Sequence, residues 1–189
     1  MKKKERPVNT NYPKINDESI EIILGDQTNL SVCCNIAGIN VDEGWKRVNA
    51  GDSCFAATIG KNIIGLAWVH KGSFYIRGLG YFFRSVCDDF YIYNLIVTSE
   101  YRRRGIAKYL IRTIGDRIST KGKERVIVIV EKRNLMGLSF FNDLCFEPLQ
   151  YIYHMEIFFM KYTAVKPVDK NKTTQRRLFW NQPKGVFVI

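Results

Sequence analysis

The chain has 189 residues and carries 29 lysines and arginines against 18 aspartates and glutamates, a net charge of +11, with 46% hydrophobic and 13% aromatic content. That composition belongs to one soluble globular domain with a well-filled core. It offers no run of the roughly eighteen apolar residues a membrane helix needs, no apolar stretch behind the basic N-terminus for a signal peptide, and only five cysteines without CxxC or Cys/His spacing, so a cytoplasmic protein with no membrane span, no disulfide framework and no metal is expected.

In chain order, residues 1–16 read as a basic tail. "SIEIILG" (19–25) is a first strand, and two short helices lie within 27–50, the second stopped by Gly51. "CFAATIG" (54–60) and "IIGLAWVH" (63–70) flank a two-residue polar turn and predict a hairpin. A glycine- and aromatic-rich stretch follows over 71–87. "DFYIYNLIV" (89–97) is a strong strand. Residues 103–120 are a helix with Ile106, Ala107, Leu110, Ile111, Ile114 and Ile118 on one face. "RVIVIV" (125–130) is an unbroken β-branched run, as in a strand buried on both faces. A further helix spans 134–144 with Asn134 as its N-cap, and 151–162 gives one long or two short strands. Residues 163–189 read as a basic extension.

Most of the positive charge sits at the two ends. Residues 1–14 carry five basic groups and one acidic, and residues 161–189 carry seven and one, which leaves 17 basic against 16 acidic residues in the body. Solvated tails account for this; attraction to nucleic acid or an anionic membrane is the other reading. The strand–helix–strand crossover in the centre implies a parallel pair, and the hairpins are antiparallel. The expected class is therefore α/β of the α+β type, with a mixed sheet.

Within the near-neutral body, residues 102–133 hold eleven basic groups and three acidic ones. A helix start offers unpaired N–H groups and the positive end of its dipole, a ready anion site. Here Arg102, Arg103 and Arg104 precede Gly105 and Ala107, whose small side chains leave room for a phosphate. Neither GxxxxGK[ST] nor GxGxxG is present. What stands there is Arg102-x-x-Gly105-x-Ala107, inside "YIYNLIVTSEYRRRGIAKYLIRTI". With "EKRNLMGLSFFNDLCF" further on, this resembles the Q/R-x-x-G-x-G/A and N-x-x-A-x-x-F/L-Y-x-x-x-G-F stretches of the GNAT N-acetyltransferases. The resemblance covers roughly residues 54–160.

The resemblance implies a catalytic domain over 17–162. Its mixed, mostly antiparallel sheet would have helices on both faces and a central parallel pair, 89–97 and 125–130, splayed to admit acetyl-CoA. The pantetheine arm would lie along Leu95, Ile96 and Val97. The pyrophosphate would sit on Arg103, Arg104, Gly105, Ile106, Ala107 and Lys108, with Arg102 adding charge and Asn134 and Phe141 flanking the cofactor. The implied partner is a small-molecule or peptide amine, with no specific nucleic acid, and the implied assembly is a homodimer through the last strands.

Direct attack of an amine on a thioester needs a proton acceptor, an oxyanion donor and a proton source for the thiolate. By the resemblance, a backbone N–H of the splayed strand, around Val97, would serve the oxyanion. Phe141 stands where the family has its tyrosine acid, and Tyr91 where it often has a glutamate base. Replacement candidates are Asp89, Glu131 and Tyr91 itself. Tyr91 and Tyr93 alternate with Ile92 and so share a face, which either meets the cleft or turns from it; Asp88, His70, His154 and Ser139 have plainer structural explanations, and Cys145, at the family's glycine, reads as a packed small side chain. The aromatic residues of 74–93 line an acceptor pocket or fill the core. Because Phe141 has no proton to give, an acyl-CoA-binding sensor without turnover is the alternative function.

Overall fold

The apolar and alternating runs form the strands and the amphipathic segments form the helices. The computed structural model describes residues 14–15, 18–85, 89–118, 125–157, 160–168, 175–180 and 187–188. Its strands are β1 (Lys14–Ile15), β2 (Glu18–Leu24), β3 (Ser53–Ile59), β4 (Asn62–Lys71), β5 (Phe74–Ile76), β6 (Tyr81–Phe83), β7 (Asp89–Val97), β8 (Arg125–Val128), β9 (Val130–Glu131), β10 (Gln150–Ile157), β11 (Met160–Pro167), β12 (Gln175–Trp180) and β13 (Phe187–Val188). The helices are α1 (Leu30–Ala37), α2 (Val41–Asn49), α3 (Ile106–Ile118) and α4 (Leu135–Asp143).

One sheet runs β1-β2-β3-β4-β7-β8, a second β12-β11-β10-β13-β9, and β5-β6 is a separate hairpin. Among the described residues β7 and β8 are the parallel pair, as the central crossover predicts, and the other pairings are antiparallel. Helices cover both faces of the first sheet. Ile106, Leu110, Ile111 and Ile114 of α3 pack with Ile20, Ile22, Ala57, Ala67 and Ile92 on one face, each such side chain contributing about 1.5–3 kcal/mol when fully buried. Leu30, Cys33 and Cys34 of α1 meet Ala56, Leu66 and Trp68 on the other face. A third cluster joins the hairpin, through Phe74, Leu79, Tyr81 and Phe83, to Ile152 and Val165 of the second sheet.

Several expectations change. The 71–87 stretch contains the β5–β6 hairpin, whose alternating Phe74, Tyr81 and Phe83 point into the third cluster. The helix expected from residue 103 begins at Ile106, because Arg103 (φ 61) and Gly105 (φ 80) are left-handed. The 125–130 run is not one strand. It breaks at Ile129, since β8 pairs with β7 while β9 pairs with β13 of the second sheet; its apolar residues serve two sheets in turn. The boundary drawn at 162 falls inside β11, where Thr163 and Val165 are buried, and β12 and β13 add strands within the expected extension. Residues 1–13 lie outside the described residues. Among those described, no helix is long and apolar enough to cross a membrane.

Candidate active site

The site begins where β7 leaves β8. Their parallel register runs Asp89↔Arg125, Phe90↔Val126, Tyr91↔Ile127 and Ile92↔Val128, and stops there. On its other side β7 stays paired with β4, but the register shifts between Leu66↔Ile96 and Trp68↔Tyr93. Two residues of β7, Asn94 and Leu95, thus oppose Ala67 alone, which is a β-bulge. Asn94 has φ 48, a left-handed conformation that asparagine tolerates better than most residues. The bulge turns the end of β7 away from β8, and the pair opens into a V from Tyr93 onward.

Thr98 N–H bonds the Ile64 carbonyl at 3.0 Å. By the alternation of an antiparallel ladder, Val97 turns its own N–H and C=O away from β4 and toward the opening. Its carbonyl accepts from Arg102 Nε at 3.0 Å. Arg102 is therefore a brace across the turn as well as an exposed charge. Gly65, facing Val97, permits close strand contact, since a Cβ there would lie 2.8 Å from the Ile96 carbonyl oxygen.

At the mouth of the V stands the turn 102–105. Left-handed Arg103 and Gly105 flank Arg104, and alternation of this kind gathers successive N–H groups into an anion-binding nest. Tyr109 N–H is bonded to the Gly105 carbonyl at 2.9 Å, so the N–H groups of Ile106, Ala107 and Lys108 precede the helical ladder. No acidic residue occupies the first turn of α3. A Cβ on Gly105 would meet nothing within 4 Å, which leaves open space above the nest. A pyrophosphate fits this donor set, held by main-chain N–H groups with Arg103, Arg104 and Lys108 exposed around it. Arg104 lies over the Tyr101 ring, 5.7 Å from its centroid.

The remaining predicted residues separate. Asn134 caps α4, accepting from Gly137 N–H at 2.9 Å. A Cβ on Gly137 would lie 2.6 Å from Asn134 Nδ2, so glycine at the family's alanine position belongs with this cap. Phe141 packs edge-on against Phe140 and Phe146. It lines a cavity of about 1120 Å³ between α3, β8 and α4 that includes none of residues 95–108. Glu131 is exposed at the end of β9.

Asp89 is not available as an acid or base. It is fully buried, its two oxygens receive Arg125 Nε and Nη2 at 2.7 and 2.9 Å, and Ser85 Oγ donates to it at 2.9 Å. It ties the closed end of the β7–β8 pair. Tyr91 stacks on Phe74 at 3.9 Å and 7°; burial pushes its hydroxyl up to about 12, so it keeps its proton at neutral pH and is no base. Cys145 is exposed and left-handed (φ 61) rather than packed. It follows α4 in a Schellman turn, with Phe146 N–H on the Phe141 carbonyl and Cys145 N–H on that of Asn142. Asp88 lies outside the described residues.

On the α1–α2 face the structure brings together residues the sequence does not. Tyr93 Oη donates to Asp52 Oδ2, and His70 Nδ1 lies 2.5 Å from Asp52 Oδ1 while its Nε2 lies 3.1 Å from the Ser73 carbonyl. Arg47 of α2 sits over Trp68 and Tyr93, 5.3 and 5.2 Å from their centroids, and reaches Asn94 Oδ1 at 3.4 Å. Asp52 stands in the turn after α2, and no local pattern there marks it. His154 is taken by Thr163 Oγ1 at 2.8 Å in the second sheet, which fits its structural reading.

A parallel pair that parts beside a helix-start anion nest defines a class of protein, an acyl-CoA-dependent acyltransferase. The acetyltransferase (GNAT) family model matches residues 26–145, well over half of the chain, and the chain belongs to that family. Its co-substrate is accordingly acetyl-CoA. Solved structures of similar shape include the aminoglycoside N-acetyltransferase AAC(6')-Iy in complex with the bisubstrate analogue CoA-S-monomethyl-acetylneamine (20% identity, 68% of this chain and 90% of that one, TM-score 0.57). An aminoglycoside acetyltransferase, meta-AAC0020, from an uncultured soil metagenomic sample also matches (20%, 73% and 97%, TM-score 0.56). So does Arabidopsis thaliana NAA60 in complex with a bisubstrate analogue (20%, 80% and 99%, TM-score 0.56). At these identities the likeness is one of fold. No curated protein matches the chain.

Proposed function

We propose that the protein transfers the acetyl group of acetyl-CoA to a primary amine by direct attack, with donor and acceptor bound together. The observation that carries this reading is the opening of β7 from β8 beyond Ile92, with the 102–108 turn following the open end of β7 and tied to it through Arg102 and the Val97 carbonyl. The nest and the exposed arginines hold the phosphates by charge-assisted bonds. The main chain of Leu95–Val97 orients the arm that carries the thioester, and the Val97 N–H is the donor for the developing oxyanion. Acetyl-CoA supplies the activated acyl carbon. Bringing the two reactants together at the apex supplies much of the rate, and water protonates the departing thiolate in place of Phe141.

The acceptor enters from the α1–α2 face, where half-buried Tyr91 and Tyr93 border the apex. The two similar aminoglycoside acetyltransferases make aminoglycosides the first amines to try, and polyamine and peptide amines extend the range. Calorimetry with acetyl-CoA on the wild type and on Gly105→Glu tests the nest. Binding in the first and none in the second is expected, because glutamate sets an anion in the phosphate position. Thiol release is then followed with sisomicin, spermidine and a short peptide with a free α-amine. Binding without thiol release from any acceptor would favour the sensor reading that Phe141 keeps open.

A further inference from the structure

We propose that Tyr93 and Asp52 form the proton path of this transfer, with Tyr93 the catalytic hydroxyl against the acceptor amine and Asp52 the positioning carboxylate that receives the proton behind it. The inference rests on the transfer reading above.

Tyr93 is the first β7 residue beyond the last parallel pair, Ile92↔Val128. It therefore stands at the apex, where a thioester whose arm lies along Leu95–Val97 ends. Its ring shares a face with Tyr91, 5.3 Å away, and Trp68, 6.4 Å away. That is the α1–α2 face, opposite α3 and its nest. Donor and acceptor thus reach the apex from opposite sides of the sheet. The Tyr93 hydroxyl spends its proton on Asp52 Oδ2, which leaves the phenol oxygen able to accept an amine N–H. Asp52 is held in place, its side chain 9% exposed and its second oxygen 2.5 Å from His70 Nδ1.

The titratable and charged groups facing Tyr93 are Asp52 from the turn after α2, Arg47 from α2, His70 through Asp52 from β4, and Tyr91 from β7. Burial first, and then Asp52, push the Tyr93 hydroxyl far up, while Arg47 pulls it down. The phenol thus holds a proton at neutral pH and gives it up only as it takes another. In the step, one proton of the acceptor ammonium passes to Tyr93 Oη as the tyrosine's own proton passes to Asp52 Oδ2. The neutral amine then forms the N–C bond, the thioester C–S bond breaks, and the amine's surplus proton leaves to the thiolate through water. Asp52 returns its proton to solvent to close the cycle.

The test uses the full chain with Tyr93→Phe, which removes one oxygen and keeps the ring stack, and Asp52→Asn. Melting curves and acetyl-CoA calorimetry establish that each is folded with its donor affinity unchanged. With the best of the three acceptors above, Tyr93→Phe is expected to lower kcat by about 10²-fold or more. Acceptor affinity for the coenzyme A complex is expected to fall ~10-fold, the scale of one hydrogen bond to a charged group. Asp52→Asn is expected to show a deficit that shrinks as pH rises, because free amine then no longer needs the relay; a merely structural role gives a deficit constant with pH. Transfer by both variants at the wild-type rate overturns the relay alone, as does a deficit that pH does not move. No transfer by the wild type to any acceptor overturns the relay together with the transfer reading, and acetyl-CoA binding then shows whether the nest survives.

Discussion

The two ends of the β7–β8 pair have the same sequence character and opposite structures. The closed end, Asp89 to Ile92, is joined to β8 by a parallel ladder and by the Asp89–Arg125 ion pair. The open end, Tyr93 to Val97, has β4 as its strand partner and no register with β8, and the bulge at Asn94 and Leu95 swings it clear. Apart from Asp89 and Asn94, both ends are built of apolar and aromatic residues that suit a strand. The difference shows that pairing partners and one left-handed residue decide where a sheet yields a site, while strand propensity does not.

The strongest way to break the contrast is at its closed end. Arg125→Ala leaves the fully buried Asp89 carboxylate without its cation, whereas Arg125 itself is 39% exposed. A loss of about 3–5 kcal/mol is expected, read from urea unfolding. Alkaline pH strains the same end through Tyr91. Its hydroxyl ionises at about 12 in the folded protein and near 10 when unfolded. The unfolded chain therefore releases this proton first, and the contribution is whole below pH 10 and lost on the way to 12. It amounts to about 3 kcal/mol, and Tyr91→Phe should flatten that part of the stability–pH curve.

At the open end the expected effects are smaller. Gly65→Ala places a methyl 2.8 Å from the Ile96 carbonyl oxygen and should cost roughly 1–3 kcal/mol. Because the shift falls beside Val97, acetyl-CoA affinity should drop in the same variant, whereas Arg125→Ala should lower stability first. Asn134→Ala removes the α4 cap and should lower the melting temperature by the equivalent of about 1 kcal/mol. Cys145→Gly, remote from both ends, should stabilise by ~1 kcal/mol, the left-handed cost relieved; no change there would mean the turn does not enforce its φ.

Local chemistry is legible in the sequence itself. The amphipathic stripe of α3, the Asn134 cap and the small residues at its N-terminal turn each depend on neighbours a few positions away, which is the range over which helices, caps and nests form. The left-handed turn and helix start expected to take an anion at 102–108 are local in that sense, whereas the parallel pair follows from the strand–helix–strand order and the crossover rule. The resemblance carried by Arg102, Gly105, Ala107 and Asn134 supplied the acyl donor. What the sequence could not decide were relations across long separations. It could not show that Asp89 is neutralised by Arg125, 36 residues on, nor that the 125–130 run divides between two sheets. Nor could it place Asp52 under Tyr93, 41 residues away. Those depend on which strand lies beside which, and only the folded sheet sets that.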